Sequence, residues 1–277
     1  MLRTITVVNE MRKVNILQHN KEAWNREVER GTNDWTIPVT HNDVELARRG
    51  DLRLFLTPRK LVPASWFPEL KECKTLCLAS GGGQQAPLLA AAGANVTLVD
   101  LSPKQLAIDQ KVAARERLTI KTLEGDMANL SMLPDASFDL VVHPVSNVFA
   151  PDVRPVWKEV ARVLNTGGVL LAGFTNPVVY LFDSAQLTKN RLVVSHKIPY
   201  SPFNDDAKAE TDILFKQGSP LEFGHTLQDQ IGGQVDAGLA ITGFYEDNNR
   251  DNVRSKLDEH IPIYIATRAI KQAGVQL

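Results

Sequence analysis

Cysteine is nearly missing from this chain. Cys73 and Cys77 are the only two, too few for a disulfide framework and not spaced as a zinc-binding CxxC pair. Long apolar runs are missing as well: no stretch approaches the roughly 18 consecutive apolar residues of a membrane span. The opening "MLRTITVVNEMRKVN" has only a brief apolar run and no small-residue cleavage site, so no secretory signal is expected. Neither charge predominates, because 31 Lys and Arg face 32 Asp and Glu, for a formal net charge of −1. That balance lacks the basic footprint of a non-specific nucleic-acid binder. His19, His41, His196 and His260 show no metal spacing, and no HExxH occurs. These absences lead us to expect a cytoplasmic protein in a reducing setting, without metal, membrane or nucleic-acid partner.

What is present is an alternation of short apolar runs with longer helical patterns between residues 75 and 174. "TLCLAS" (75–80), "NVTLVD" (95–100), "LTIKTLEGD" (118–126), "FDLVVHP" (138–144) and "GVLLAGF" (168–174) read as strands. Nearly continuous apolar strands are those of a parallel sheet covered by helices on both faces. Right-handed crossovers then give an α/β fold with a doubly wound Rossmann-like sheet. Ser102, Pro103 and Gln105 open a helix as N-cap, N1 and N3 of a capping box. The next helix carries Val156, Val160, Val163 and Leu164 on one stripe and is expected to stop at Gly167. "HTLQDQIGGQVDAG" reads as a helix broken near Gly232–Gly233. "GLAITGFYEDN" and "IPIYIATRAIK" read as two antiparallel edge strands.

The flanks are different. Residues 1–69 are expected to form an N-terminal helical appendage packing over the site, with Trp24 and Val28 one turn apart on an amphipathic helix. Residues 70–277 form the main domain. Within it, about 176–225 is a polar insertion long enough to be a lid or substrate lobe.

The segment "LASGGGQQAP" (78–87) sets three glycines between a strand and a helix. Glycine weakens regular structure, so three in a row mark a place where something approaches the main chain. The run also satisfies G-x-G-x-x-A through Gly81, Gly83 and Ala86. Asp100 ends the following strand, close to the ~20-residue offset at which a carboxylate receives ribose hydroxyls. GxxxxGK[ST] is missing, which excludes a P-loop. Nicotinamide dinucleotides and S-adenosylmethionine (SAM) remain. The third strand favours SAM: Asp126 in "EGDM" is placed to accept from an adenine amino group, with Met127 as an apolar wall. No YxxxK pair exists, which removes the commonest short-chain dehydrogenase arrangement.

These motifs resemble those of class I SAM-dependent methyltransferases, the broad type 11 group that includes quinone-biosynthesis enzymes. "TLCLASGGG" is similar to the family's "VLDLGCGTG", "VTLVDLSPKQL" to its ribose-binding segment and "GDM" to its adenine-binding segment. "FDLVVHPVSNVF" resembles its fourth-strand motif. The resemblance implies a mostly parallel sheet with an antiparallel seventh strand. It implies a SAM site formed by Ala79, Ser80, Gly81, Gly83 and Gln84 of the loop, and by Asp100, Leu101 and Gln105 after the second strand. Asp126 and Met127 follow the third strand, and His143 and Pro144 the fourth. Two departures stand out: Cys77 replaces the usual first-motif acid, and Ala79 replaces its first glycine.

The implied activity is methyl transfer to a small molecule at an oxygen, nitrogen or carbon atom. His143 is the candidate catalytic side chain, as base, substrate contact or pocket wall. His225, Gln228 and Gln230 are second candidates for meeting substrate, although they also read as solvated surface. Tyr245 is a candidate for the pocket rim. An NAD(P)-dependent oxidoreductase and a SAM-binding protein without turnover are the competing readings.

Overall fold

In the computed structural model, residues 2–274 are described, with the side chains of 2–15, 205 and 208 excepted. Seven strands form one sheet: β1 (Lys74–Leu78), β2 (Asn95–Asp100), β3 (Ile120–Glu124), β4 (Phe138–His143), β5 (Leu164–Thr175), β6 (Leu239–Asp247) and β7 (Tyr264–Lys271). Their order is β3-β2-β1-β4-β5-β7-β6. The pairs β1–β2, β2–β3, β1–β4 and β4–β5 are parallel, and β7 runs antiparallel to both β5 and β6. The expected Rossmann-like sheet with one reversed strand is therefore present. The closing pair differs in one respect, since β7 is interior and only β6 is an edge.

The helices are α1 (Leu2–Arg30), α2 (His41–Arg48), α3 (Gln85–Ala91), α4 (Pro103–Glu116), α5 (Arg154–Val163), α6 (Ser184–Leu187), α7 (Lys208–Gln217) and α8 (Gly233–Asp236). Ser102 caps α4 through its side chain, which accepts from the Gln105 N–H at 3.1 Å, with Pro103 in the first turn. The capping is one-sided, because Gln105 Oε1 finds no partner. α5 buries Val156, Trp157, Val160, Ala161 and Val163 against the sheet. A fully buried aliphatic side chain contributes about 1.5–3 kcal/mol, so this stripe holds the helix in place.

Two helix boundaries correct the sequence expectation. α5 ends at Val163, four residues before Gly167. Leu164 is fully buried and pairs with Phe138, so sheet pairing draws the chain out of the helix early. Gly232 and Gly233 do not break a helix. Both have helical dihedrals, and a π-turn over Gln228–Gly232 runs straight into α8. A Cβ on Gly233 would lie 2.7 Å from Trp157 Cδ1, so close packing explains that glycine.

The N-terminal part shares its core with the sheet. Leu54, Leu56, Val62 and Trp66 join Leu98, Leu140 and Leu171 in one cluster, so packing is continuous across residue 70. Asp247 at the end of β6 reinforces this junction by accepting from Thr57 Oγ1 (2.7 Å) and from the N–H groups of Arg59 and Lys60 (2.8 and 2.9 Å). Tyr245 packs on Trp66, with ring centroids 5.3 Å apart, and does not line the cleft described below.

Candidate functional site

The sheet order reverses between β1 and β4, and ligands of open α/β sheets bind outside the carboxyl ends of the strands at such a point. Here a cleft opens between the loops after β1, β2 and β4, with α1 and residues 34–38 over it. Its floor and sides are Ala79, Ser80, Gly81 and Gln84 after β1, Asp100, Leu101 and Gln105 after β2, Met127 after β3, and Pro144 after β4. All of these belong to the expected cofactor set. Three expected members are not brought there. Gly83 is buried beneath Pro38: a Cβ on it would lie 2.8 Å from the proline Cβ. Asp126 turns into its own loop and accepts from the Ala128 N–H at 3.0 Å. His143 has no exposed surface.

His143 sits behind the cleft wall. Its Nδ1–H donates to the Leu78 carbonyl at 2.9 Å, and its ring meets Trp157 edge-on at 5.9 Å. Burial holds its pKa down at about 4, so the ring is neutral at physiological pH. Its observed contacts tie the ends of β1 and β4 together, and it does not reach the cleft as a base would. The strand-end position was legible, but not the direction in which the side chain turned.

The glycine run has a more particular explanation than cofactor approach alone. Each of its three amides donates to a carboxylate: Gly81 to Asp100 Oδ2 (2.9 Å), and Gly82 and Gly83 to Asp109 Oδ2 (2.9 and 3.0 Å). A Cβ on Gly81 would fall 2.6 Å from Gln105 Cβ, and one on Gly82 would strike the Trp35 carbonyl oxygen. The chain's own α4 and N-terminal segment thus press against the loop. Gln84 fastens that segment down, its Nε2 donating to the carbonyls of Asp34 (2.7 Å) and Ile37 (2.9 Å).

Asp109 was missed in the sequence. It is fully buried, with Oδ1 unpaired, and burial, countered by the two glycine amides, pushes its pKa up to about 8. Its signal was available, because an acid shares the inward face of α4 with Leu106, Val112 and Ala113. Cys77, where the resembling family carries an acid, is buried, and burial together with the nearby Asp109 charge raises its thiol. The carboxylate that orders the loop is therefore supplied by α4 instead of β1. Ala79 stands where the family has glycine and adopts φ +46°, a left-handed conformation that an L-residue takes only under constraint.

Asn20, Trp24, Trp35, Gln85, Val145, Ser146 and Phe149 complete the lining. Trp24 and Phe149 meet edge to face at 5.2 Å across the cleft. Asn20 bridges α1 to the walls by donating to the carbonyls of Phe149 (3.3 Å) and Leu221 (3.1 Å). His225 and Gln230 do not meet solvent, contrary to the surface reading. Gln230 exchanges two hydrogen bonds with Asn147, and His225 Nε2 lies 3.2 Å from the Asn147 carbonyl.

The donors and acceptors fit SAM better than a dinucleotide. A pyrophosphate requires free N–H groups, and here the three glycine amides already donate to side-chain oxygens of Asp100 and Asp109. A ribose requires acceptors. Asp100 has lone pairs left after accepting from Gly81 and Ser102, and Gln105 Oε1 has no partner. Burial holds the Asp100 carboxyl above its usual range, so hydroxyl donors would favour its ionised form. Among the described residues, no group of His, Cys, Asp and Glu is arranged to hold a metal.

The fold is that of the Rossmann-like methyltransferases. A methyltransferase-domain family profile matches residues 76–172. YbaJ of Bacillus subtilis (strain 168), an uncharacterized methyltransferase, is 50% identical over 256 residues, covering 92% of this chain and 98% of its own. Among solved structures, a SAM-dependent methyltransferase from Mesorhizobium loti superposes with a TM-score of 0.56 at 21% identity, covering 74% of this chain and 94% of its own. One from Methanosarcina mazei gives 0.54 at 18%, covering 77% and 99%. The chain belongs to the SAM-dependent methyltransferase family, and SAM is its cofactor.

Proposed function

We propose that the cleft between β1 and β4 binds SAM and that methyl transfer there goes to a small-molecule acceptor. Glycine amides already bonded to carboxylates, beside the ribose-type acceptors Asp100 and Gln105, are the observation that carries this reading. When bound, SAM supplies an electrophilic methyl group. Asp100 and Gln105 would receive the ribose hydroxyls, Leu101 and Met127 would wall the base, and Ala79–Gly81 would face the methionine portion.

The free space in the cleft is about 70 Å³, short of the roughly 300 Å³ at the lower end of ligand pockets. Binding of SAM would thus displace lining side chains, and Trp24 and Trp35, which the N-terminal part contributes, would be placed to shield it from water. No histidine lines the cleft, which suits an acceptor that arrives ionised or loses its proton to solvent. Near-balanced charge, without a basic footprint, speaks against a nucleic-acid acceptor.

Incubating the protein with methyl-labelled SAM and a size-fractionated cell extract tests the acceptor class. Label is expected in the low-mass fraction. Label confined to protein or nucleic acid would overturn the small-molecule reading.

A further inference from the structure

Residues 176–225 line a second cavity of about 500 Å³ that is open to solvent, and none of its lining residues belongs to the cleft. The backbone around Glu222 is tied to the cleft's own elements: the Leu221 N–H donates to Oδ1 of Asn20, which lines the cleft, and the Phe223 N–H donates to the Val148 carbonyl. Glu222, between them, faces the second cavity.

The cavity is aromatic and acidic. The rings of Tyr180 and Tyr200 stack with centroids 5.4 Å apart and planes at 19°, and His196 meets Tyr200 edge-on at 5.2 Å. Tyr180 O–H donates to Glu222 Oε2 at 2.7 Å, which leaves the other carboxylate oxygen unbonded by it. Glu210 accepts from the Ser184 N–H through Oε1, and its Oε2 lies 3.4 Å from His196 Nε2. No lysine or arginine is in the lining. The field of the carboxylates is felt in the wall itself: burial, then Glu210, Glu222 and Asp206, push the Tyr200 phenol up to about 12.

His196 is the side chain that this arrangement leaves unexplained. It is only 7% exposed and lines the cavity, and carboxylates of Asp206 and Glu210 stand 3.8 and 3.4 Å from Nδ1 and Nε2, but neither ring nitrogen makes a hydrogen bond among the described residues. A buried imidazole without partners costs free energy unless something else supplies them.

We propose that this cavity binds a small organic cation, a primary ammonium carried on an aromatic or short apolar body. An ammonium has three donors and no acceptor. Glu222, Glu210 and a His196 nitrogen present three acceptors to it, and the tyrosine rings offer their faces to the charge and the apolar body. An anion would meet like charge, and a neutral ligand would leave the carboxylates uncompensated. The inference concerns occupancy of this cavity and holds whatever the methyl acceptor is.

Calorimetric titration of the full chain, loaded with S-adenosylhomocysteine (SAH), compares phenethylamine with its neutral counterpart 2-phenylethanol. Saturable one-to-one binding of the amine is expected, about tenfold or more tighter than the alcohol. Glu222→Gln and Glu210→Gln, which keep shape and remove charge, are each expected to weaken the amine by about tenfold while leaving SAH affinity unchanged. The SAH titration also reports separately on the SAM site. No amine binding at millimolar concentration, equal binding of the alcohol, or indifference of both variants would overturn the proposal.

Discussion

Replacing Asp100 with alanine is expected to weaken SAM and SAH by about 1–3 kcal/mol, roughly 5- to 150-fold in Kd. Two effects add. The variant loses the charged acceptor facing the cleft, and it frees the amides of Gly81 and Ser102, which Asp100 Oδ2 and Oδ1 hold at 2.9 Å each. The second effect loosens the loop that walls the methionine portion. Because burial raises this carboxyl and hydroxyl donors favour its ionised form, affinity should also strengthen as pH rises through its elevated pKa. Calorimetry on wild type and variant across pH checks both statements. An alanine variant that binds SAH as wild type does would remove Asp100 from the site.

Asp109 carries the larger stability effect. Asp109→Ala strands the buried amides of Gly82 and Gly83 together, and is expected to cost about 2–6 kcal/mol, at 1–3 kcal/mol for each unsatisfied donor. Asp109→Asn keeps an acceptor oxygen and should cost less. The pH dependence has a definite sign. A carboxyl raised to about 8 in the folded protein binds a proton that the unfolded chain has released above about pH 4. Its stabilising contribution is therefore full below about pH 4 and is lost as pH rises through about 8. Wild type should have a lower urea midpoint at about pH 8.5 than at about pH 6, and the drop should shrink in Asp109→Asn, which cannot titrate. A midpoint that Asp109→Ala leaves unchanged would show that the loop is held some other way.

The parts of this protein that were legible in its sequence are those written in local patterns. The five parallel strands are apolar runs bounded by turns, and they form as read. Asp100 follows the glycine loop at a fixed offset, and it lines the β1–β4 cleft together with Gly81, Gln105 and Met127. What could not be read depends on how elements rotate against one another. Asp109 reaches the glycine amides only because α4 turns that face inward. His143 ends β4 as expected, but packing against Trp157 turned it beneath the cleft wall. Gly167 has the composition of a helix cap, but pairing of Leu164 with Phe138 ended the helix first. The second cavity collects Tyr180, His196, Tyr200, Glu210 and Glu222 from an irregular stretch with no period, so no pattern along the chain announced it.

A β1–β4 cleft whose three glycine amides already donate to Asp100 and Asp109 has none of them free for a pyrophosphate and is expected to take SAM. Calorimetric titration of the purified chain with SAM, SAH and NADH separates the two ligand classes. Saturable binding of SAM and SAH without any response to NADH is the predicted result. Saturable NADH binding with silence from both sulfur nucleosides would contradict it.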